Sequence, residues 1–315
     1  MNGVFIISLD FELLWGVRDH ADRDSYGKNI LGARDAIPRI LELFEKYEIR
    51  ATWATVGFLF CENKDELLEI LPRDRPKYNK KYLSNYEYIS EVGPNESKDP
   101  YYFAPSLISQ ILKTPKQEIG THTLTHYYCL EEGQNLGSFR SDLNAAITLA
   151  QRRNIKIKSI VFPRNQFNEE HLTAAQKLGI DRYRGNPADW AYRKTKTEDQ
   201  TPLRRGVRLI DSYFGIFGDQ TYSPPKDRPT NVRASRFLRP YAGRLAPFHS
   251  AHTGAIRRQM TSAALKRNVY HLWWHPHNFG INIEENLSAL EKILVHFDVL
   301  RSEFGFSSAS MGDIG

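Results

Sequence analysis

The chain of 315 residues is expected to fold as an α/β barrel, closed or nearly so, of mainly parallel strands. Three observations predict this. Short apolar runs alternate with segments of helical spacing along the whole chain, the pattern of parallel strands joined by crossover helices. The first run, residues 4–7, is apolar at consecutive positions, as a strand enclosed on both faces is. Ionisable residues end four of the runs, at Asp10, His122, Arg164 and His275, and parallel α/β folds gather their sites at the C-terminal ends of strands. Four converging ends argue for closure, because an open edge would spread them apart.

The elements follow in order. Residues 3–10 form the first strand, then Leu13-Leu14-Trp15-Gly16 and a polar loop over 17–29. A helix is expected over 33–47, where Ile37, Ile40, Leu41 and Phe44 recur at helical spacing and Pro38 falls in the first turn. Residues 50–60 read as the second strand and its exit, and 64–71 as a short helix. A long excursion rich in Pro, Tyr, Asn and Lys, 72–118, carries a helix over 105–113. A strand at 118–121 leads to two histidines. A helix over 137–153, a strand over 155–162, a helix over 168–179 ended by Gly179 and a strand over 180–184 come next. A basic, Pro-rich stretch, 191–235, holds one expected strand at 207–213. The chain closes with a helix over 253–267, a strand over 268–274 and a helix over 284–304. One domain, 1–315, with insertions at about 72–118 and 191–260, accounts for this pattern.

Composition narrows the class. Hydrophobic content of 41% and charged content of 25% suit an ordinary globular chain. No apolar run has the length of a membrane span, and the N-terminus lacks the features of a secretion signal, so a cytoplasmic protein is expected. Cys61 and Cys129 are then expected to be reduced. The net charge is +6, with arginines concentrated between 204 and 267. A solvated basic face would produce this. So would an anionic partner: a phosphate-bearing sugar carrier, an acidic glycan or an anionic membrane surface met peripherally. No nucleic-acid-binding motif accompanies the charge, and nucleic acid is not an expected partner.

Asp10 and Glu12 lie two apart on a strand, so they share a face and Phe11 turns the other way. His122 and His126 are four apart and stack if that segment turns helical. Two imidazoles and one carboxylate make a ligand set for a divalent ion, and the second carboxylate is left as a free base. Either acid fits either part on this evidence. The bland alternative is a pair of core histidines and a strand-end acid pair that caps a helix.

At this point the sequence resembles the polysaccharide deacetylases of the carbohydrate esterase 4 type. The segments that carry the resemblance are Ser8-Leu9-Asp10-Phe11-Glu12, Gly120-Thr121-His122-Thr123-Leu124-Thr125-His126, Phe162-Pro163-Arg164-Asn165-Gln166-Phe167, Ala188-Asp189-Trp190 and Leu272-Trp273-Trp274-His275. The resemblance implies a distorted (β/α)7 barrel. It implies Asp10 as base, and Glu12, His122 and His126 as ligands of a divalent metal, with Zn2+ the expected ion. Arg164 would orient Asp10, Asp189 would hold Arg164, and Trp190 would form a hydrophobic wall. His275 would protonate the leaving amine, with His277 as its rival. Two departures stand out. Phe11 occupies the place where most members carry the metal-binding aspartate, so the first motif is of an acid-x-acid type. The third motif reads Arg164-Asn165-Gln166-Phe167-Asn168 where the family has Arg-x-Pro-Tyr-Gly.

The implied reaction is removal of acetyl from an N-acetylated amino sugar, an intracellular precursor of a surface polysaccharide. Trp15, Trp273 and Trp274 would stack on the sugar or else belong to the core. Arg236 and Arg239 would grip the phosphates of a nucleotide- or lipid-diphosphate-linked substrate. Two other readings fit the same motifs: a metal amidohydrolase acting on a ureide or cyclic imide, and a barrel that binds sugar without catalysis.

Overall fold

The computed structural model describes residues 2–193, 195–196 and 201–315. Its strands are β1 (Val4–Phe11), β2 (Ala51–Thr55), β3 (Gln117–Thr121), β4 (Ser159–Ile160), β5 (Arg182–Tyr183), β6 (Thr230–Asn231), β7 (Arg236–Phe237), β8 (Val269–Trp274) and β9 (Ser307–Ala309). Its helices are α1 (Arg23–Lys46), α2 (Lys64–Glu69), α3 (Pro105–Lys113), α4 (Leu136–Gln151), α5 (Glu169–Lys177), α6 (Pro202–Phe214), α7 (Ala246–Lys266) and α8 (Ile283–Phe304).

The strands run parallel in the order β6-β5-β4-β3-β2-β1-β8-β7, and β9 pairs with the start of β1. The two ends of this order, β6 and β7, belong to one extended run of chain. Within it the Val232 and Ala234 amides donate to the Tyr183 and Gly185 carbonyls, both at 2.9 Å. The Ser235 and Leu238 amides then donate to the His271 and Trp273 carbonyls, both at 2.8 Å. A single stave therefore pairs with the β5 side at its start and with β8 at its end, and the sheet closes. β1 to β5, this shared stave and β8 make seven staves, the distorted (β/α)7 barrel the sequence resemblance implies.

Strand parity sorts the side chains. Phe5, Ile7, Leu9 and Phe11 face the helices in the main apolar core, where Phe11 meets Trp53 edge-on with ring centroids 6.2 Å apart. Ile6, Ser8 and Asp10 face the barrel axis. At the bottom Ile6, Val161, Val232 and Val269 pack with Met311 and Ile314 of the C-terminal segment, which plugs the barrel. Each such fully buried aliphatic side chain stabilises by about 1.5–3 kcal/mol. The plug is pinned by the Gly312 amide donating to Glu118 (2.8 Å), which also accepts from the Thr52 hydroxyl (2.6 Å). Ala54 packs into this same cluster, and its neighbour across the β2–β3 ladder, Gly120, is closed in by Ser159, whose Oγ would lie 2.7 Å from a Cβ there.

Several elements differ from the sequence expectation. α1 begins ten residues before the expected position 33, because Asp22 and Ser25 form a reciprocal cap at its start. Pro38 accordingly sits inside the helix rather than in its first turn, where it has no N–H for the carbonyl four residues back. The expected strand at 207–213 is part of α6. Thr201 caps that helix, Pro202 occupies its first position, and Gly215 ends it in the left-handed region at φ 68°. β6, β7 and β9 lack any expected counterpart. The turn after β3 is not helical: Thr123 and His126 have φ values of 65° and 59°, so the two histidines are brought together by a left-handed loop.

α1 packs against the loop that follows β8 through two glycines. A Cβ on Gly32 would lie 1.8 Å from the Gly280 carbonyl oxygen, and one on Gly280 would lie 1.9 Å from that of Asn29. Backbone against backbone leaves no flexible side chain to yield. Gly32→Ala is expected to destabilise the protein by about 1–3 kcal/mol in chemical denaturation. An unchanged midpoint would show that this helix–loop contact is not tight.

Candidate active site

Glu12, His122 and His126 meet at the top of the barrel, all buried. The Glu12 Oε2 atom lies 3.2 Å from His122 Nε2 and 3.2 Å from His126 Nε2. Among the described residues this is the one group of three such side chains whose donor atoms converge. His122 Nδ1 is 2.8 Å from the Val161 carbonyl oxygen, so that nitrogen carries the proton and Nε2 of the neutral ring presents a lone pair. Glu12 Oε2 has no hydrogen-bond donor of its own. Between His122 and Glu12, lone pairs thus face one another without a proton between them, an arrangement that a cation resolves. Donors on a tetrahedral ion at about 2.1 Å stand roughly 3.4 Å apart, close to the spacing found. The residues fit a divalent metal.

Glu12 reaches this place by folding back over Gly16. A Cβ at Gly16 would fall 1.9 Å from the Glu12 carboxyl carbon, so only glycine leaves space for the carboxylate. His126 Nδ1 lies 3.2 Å from the Tyr128 hydroxyl, and burial lowers the ring below its usual range even against the pull of Glu12.

Asp10 stands beside this set with a different partner. Arg184 grips it through two parallel bonds, Nη1 to Oδ1 at 2.6 Å and Nη2 to Oδ2 at 2.7 Å. Burial would raise the Asp10 carboxyl. Arg184, with His122 and His275, outweighs burial and holds it below its usual range. Arg184 also donates to the Ser8 hydroxyl (3.0 Å) and to the Asn165 side-chain carbonyl (3.2 Å), and it lies 4.1 Å over the Trp273 ring. His275 Nε2 is 3.7 Å from Asp10 and 3.6 Å from Glu12, on the open side of the cleft. His277 stacks beneath it with ring centroids 5.1 Å apart and lies 4.0 Å from Glu12. Burial first, and then His275, push His277 down to about 3, so it is neutral. The cleft holding these groups has a volume of about 490 Å³.

The structure does not bring together all the residues singled out in the sequence. Arg164 does not touch Asp10. It pairs with Asp19 and lies 4.4 Å over the Tyr128 ring, because Arg164 and Asn165 are both left-handed and the loop carries that side chain to the histidine side of the cleft. Asp189 does not hold Arg164; it accepts from Gln220 at 2.9 Å. Trp190 is 45% exposed and lines neither of the two cavities at the top of the barrel. Trp15 is core, fully buried against Phe58 and Tyr102 with its indole N–H on the Tyr102 carbonyl. Trp274 is likewise core, whereas Trp273 lines the cleft. Arg236 is buried beneath α6, where it donates to the Asp211 and Ser212 carbonyls at that helix's C-terminal end. Arg239 lines the cleft. Arg184 and Gly16 are the residues that sequence reasoning missed. Arg184 ends a strand, the same signal that marks Asp10, His122 and His275.

A parallel barrel with a candidate divalent-metal centre at its strand ends is the class that fold and site define. The chain belongs to the polysaccharide deacetylase family, whose sequence model matches residues 26–183. Members of this family are hydrolases that act on amide bonds. The match includes His122 and His126; the placement of Asp10, Glu12 and His275 rests on the geometry. Among solved structures, a candidate polysaccharide deacetylase of Mycobacterium smegmatis superposes with a TM-score of 0.58 at 12% identity, covering 98% of this chain and 87% of its own. Another from Pseudomonas aeruginosa PAO1 gives 0.56 at 10% identity, with coverages of 98% and 88%. A GH57-type branching enzyme of Pyrococcus horikoshii gives 0.52 at 13% identity, with coverages of 99% and 70%. At these identities the likeness is one of fold. No curated protein matches the chain.

Two outcomes are expected. Gly16→Ala should displace the Glu12 carboxylate and weaken Zn2+ binding by at least about tenfold, read by competition with a chromophoric chelator; equal affinity would separate Glu12 from the metal set. Arg184→Met should cost about 3–5 kcal/mol at neutral pH in metal-free denaturation, since it leaves Asp10 buried and unpaired. The depressed Asp10 contributes stability above its unfolded value near 3.8, and this is lost as the pH falls through the folded value. The penalty of the variant should therefore shrink on acidification below about pH 4. A penalty that stays constant there would show that the pair is not the source.

Proposed function

We propose that the protein is a divalent-metal-dependent N-deacetylase of an N-acetylated amino sugar. The observation that carries this reading is the separation of the two acids: Glu12 faces two imidazole Nε2 atoms, and Asp10 is held apart from them by Arg184. One acid is left to complete an ion site and the other to move a proton. Family membership supplies the amide-hydrolase chemistry.

Glu12, His122 and His126 would hold the ion, with Zn2+ the expected one. When bound, such an ion supplies Lewis-acid polarisation of the amide carbonyl and makes water easier to deprotonate. Asp10 takes the proton of the attacking water, kept ionised and aimed by the two Arg184 bonds. Water oxygen bonds to the carbonyl carbon, the C–N bond breaks, and His275 delivers a proton to the departing nitrogen. His275 suits that part because it lies beside both acids and faces the cleft, whereas His277 is packed below it. The products are acetate and a free amine. The arginine content around the cleft favours a substrate joined to a phosphate-bearing carrier, a precursor handled inside the cell. The two buried, unpaired cysteines are compatible with a reducing compartment.

The test couples metal content to turnover. Wild-type protein should carry one metal per chain and release acetate from an N-acetylhexosamine compound. Asp10→Asn should keep the metal and lose about two to four orders of magnitude in kcat. His122→Ala should lose both. Release of acetate by the Asp10→Asn variant at the wild-type rate would remove Asp10 from the reaction. An absence of bound metal in the wild type would defeat the reading.

A further inference from the structure

Beside the cleft lies a second cavity of about 450 Å³. The two are continuous: Arg164, Asn165, Phe237, Arg239, Trp273 and His275 line both. This second cavity is bounded on its far side by α6, which contributes Arg205 and Arg208. Neither Asp nor Glu occurs among its described lining residues. From this juxtaposition of a cation-lined cavity and the candidate active site we infer that the second cavity is the binding subsite for the diphosphate of a carrier-linked sugar. The inference rests on the N-deacetylase reading and extends it by naming the substrate's anionic part.

Arg239 is the centre of the argument. Its Nε donates to the Ser212 hydroxyl and its guanidinium lies 5.8 Å from the Phe237 ring. Its hydrogen-bond partner and the aromatic rings about it are neutral, and no carboxylate pairs with it among the described residues. Burial lowers the guanidinium below its ordinary range, offset only in part by Tyr213 and Tyr192. Arg208 is lowered as well, by burial and then by Arg204, with Arg205 and Arg239 adding to the effect. A doubly charged anion seated against Arg239 would meet Arg205 and Arg208 on the facing helix and no carboxylate among the described lining residues. Arg236 also lines this cavity, but it is buried and its Nη1 is committed to the Asp211 and Ser212 carbonyls, so Arg239 stands nearer the cleft. Because His275 and Trp273 line both cavities, a sugar whose diphosphate lay against Arg239 would have its ring beside the proposed acid. A diphosphate reaches such a site from a nucleoside diphosphate sugar or from a prenyl diphosphate sugar, and the chemistry recognised is common to both.

Inorganic pyrophosphate is the probe, titrated calorimetrically into the metal-free full chain. Wild-type protein should bind it, and Arg239→Ala should weaken binding at least tenfold. Arg205 is exposed, so Arg205→Ala should weaken binding without loss of fold, whereas Arg140→Ala on α4, outside both cavities, should not change it. Competition by UDP against farnesyl diphosphate then assigns the carrier. An absence of binding to wild type overturns the inference, as does an equal loss in the Arg140 and Arg205 variants, which would mark a general charge effect. Equal kcat/KM for a neutral N-acetylhexosamine and its diphosphate-linked form also overturns it while leaving the deacetylase reading intact. If neither form is hydrolysed, the deacetylase reading fails, and pyrophosphate binding to wild type with its loss in Arg239→Ala still decides whether the cavity is an anion subsite.

Discussion

The bidentate pair between Arg184 and Asp10 is the constraint on which the upper half of the barrel depends. Removing two charges from water costs several kcal/mol per ion, and only good geometry with further hydrogen bonds offsets that cost. Arg184 comes from the end of β5 and Asp10 from β1, so the pair spans the barrel interior. Its remaining donors then dictate their neighbours. The Ser8 hydroxyl accepts from Arg184 and has one proton left, which it gives to His271 Nε2 at 2.8 Å. His271 must therefore be neutral with its proton on Nδ1, where the Val232 carbonyl accepts it at 3.1 Å. Burial pushes His271 down to about 3, with Arg184 adding to the effect, so the required state is also the favoured one. Val232 belongs to the stave that closes the barrel. Closure and the ionisation of Asp10 are thus joined through one chain of hydrogen bonds.

The two acids of the first motif acquire different chemistry from this. Asp10 is charge-balanced by a guanidinium and needs no metal to remain ionised. Glu12 has no such donor and faces imidazole nitrogens from its place over Gly16. Alternation along β1 sends Phe11 into the helix layer and leaves both acids on the axis. An acid-x-acid motif can therefore do what adjacent aspartates do elsewhere, provided that the second acid is long enough to bend back and that the residue under it has no side chain. Glu12 and Gly16 satisfy both conditions.

Strand parity put Asp10 and Glu12 on one face, the spacing of four paired His122 with His126, and a strand end with the motif resemblance marked His275; the structure brings these five side chains together, the histidine pair through a left-handed loop rather than a helical turn. Arg184 obeyed the same rule but was passed over in favour of Arg164, which the motif resemblance recommended. Motif position carries no information about the φ values of a loop, and two consecutive left-handed residues turn Arg164 away. α6 was misread from the apolar residues in 207–213, although Thr201-Pro202 and Gly215 mark a helix start and stop. β6 and β7 are two residues each and exist through hydrogen bonds to distant strands, for which no local signal exists. Gly16 matters through a side-chain contact that a sequence alone does not express.

The altered third motif also finds its account here. Without the family's proline, tyrosine and glycine, the loop at 164–168 still touches both halves of the site, but by different routes. Asn165 accepts from Arg184 and so supports Asp10 at one remove. Arg164 lies over Tyr128, whose hydroxyl meets His126 Nδ1, and its charge is balanced by Asp19 rather than by Asp10. The arginine at the motif position thus buttresses the histidine side of the site, and Asp10 is held instead by an arginine at a strand end. A carboxylate held by a side chain at the end of β5 takes its position from the strand ladder rather than from the backbone of that loop.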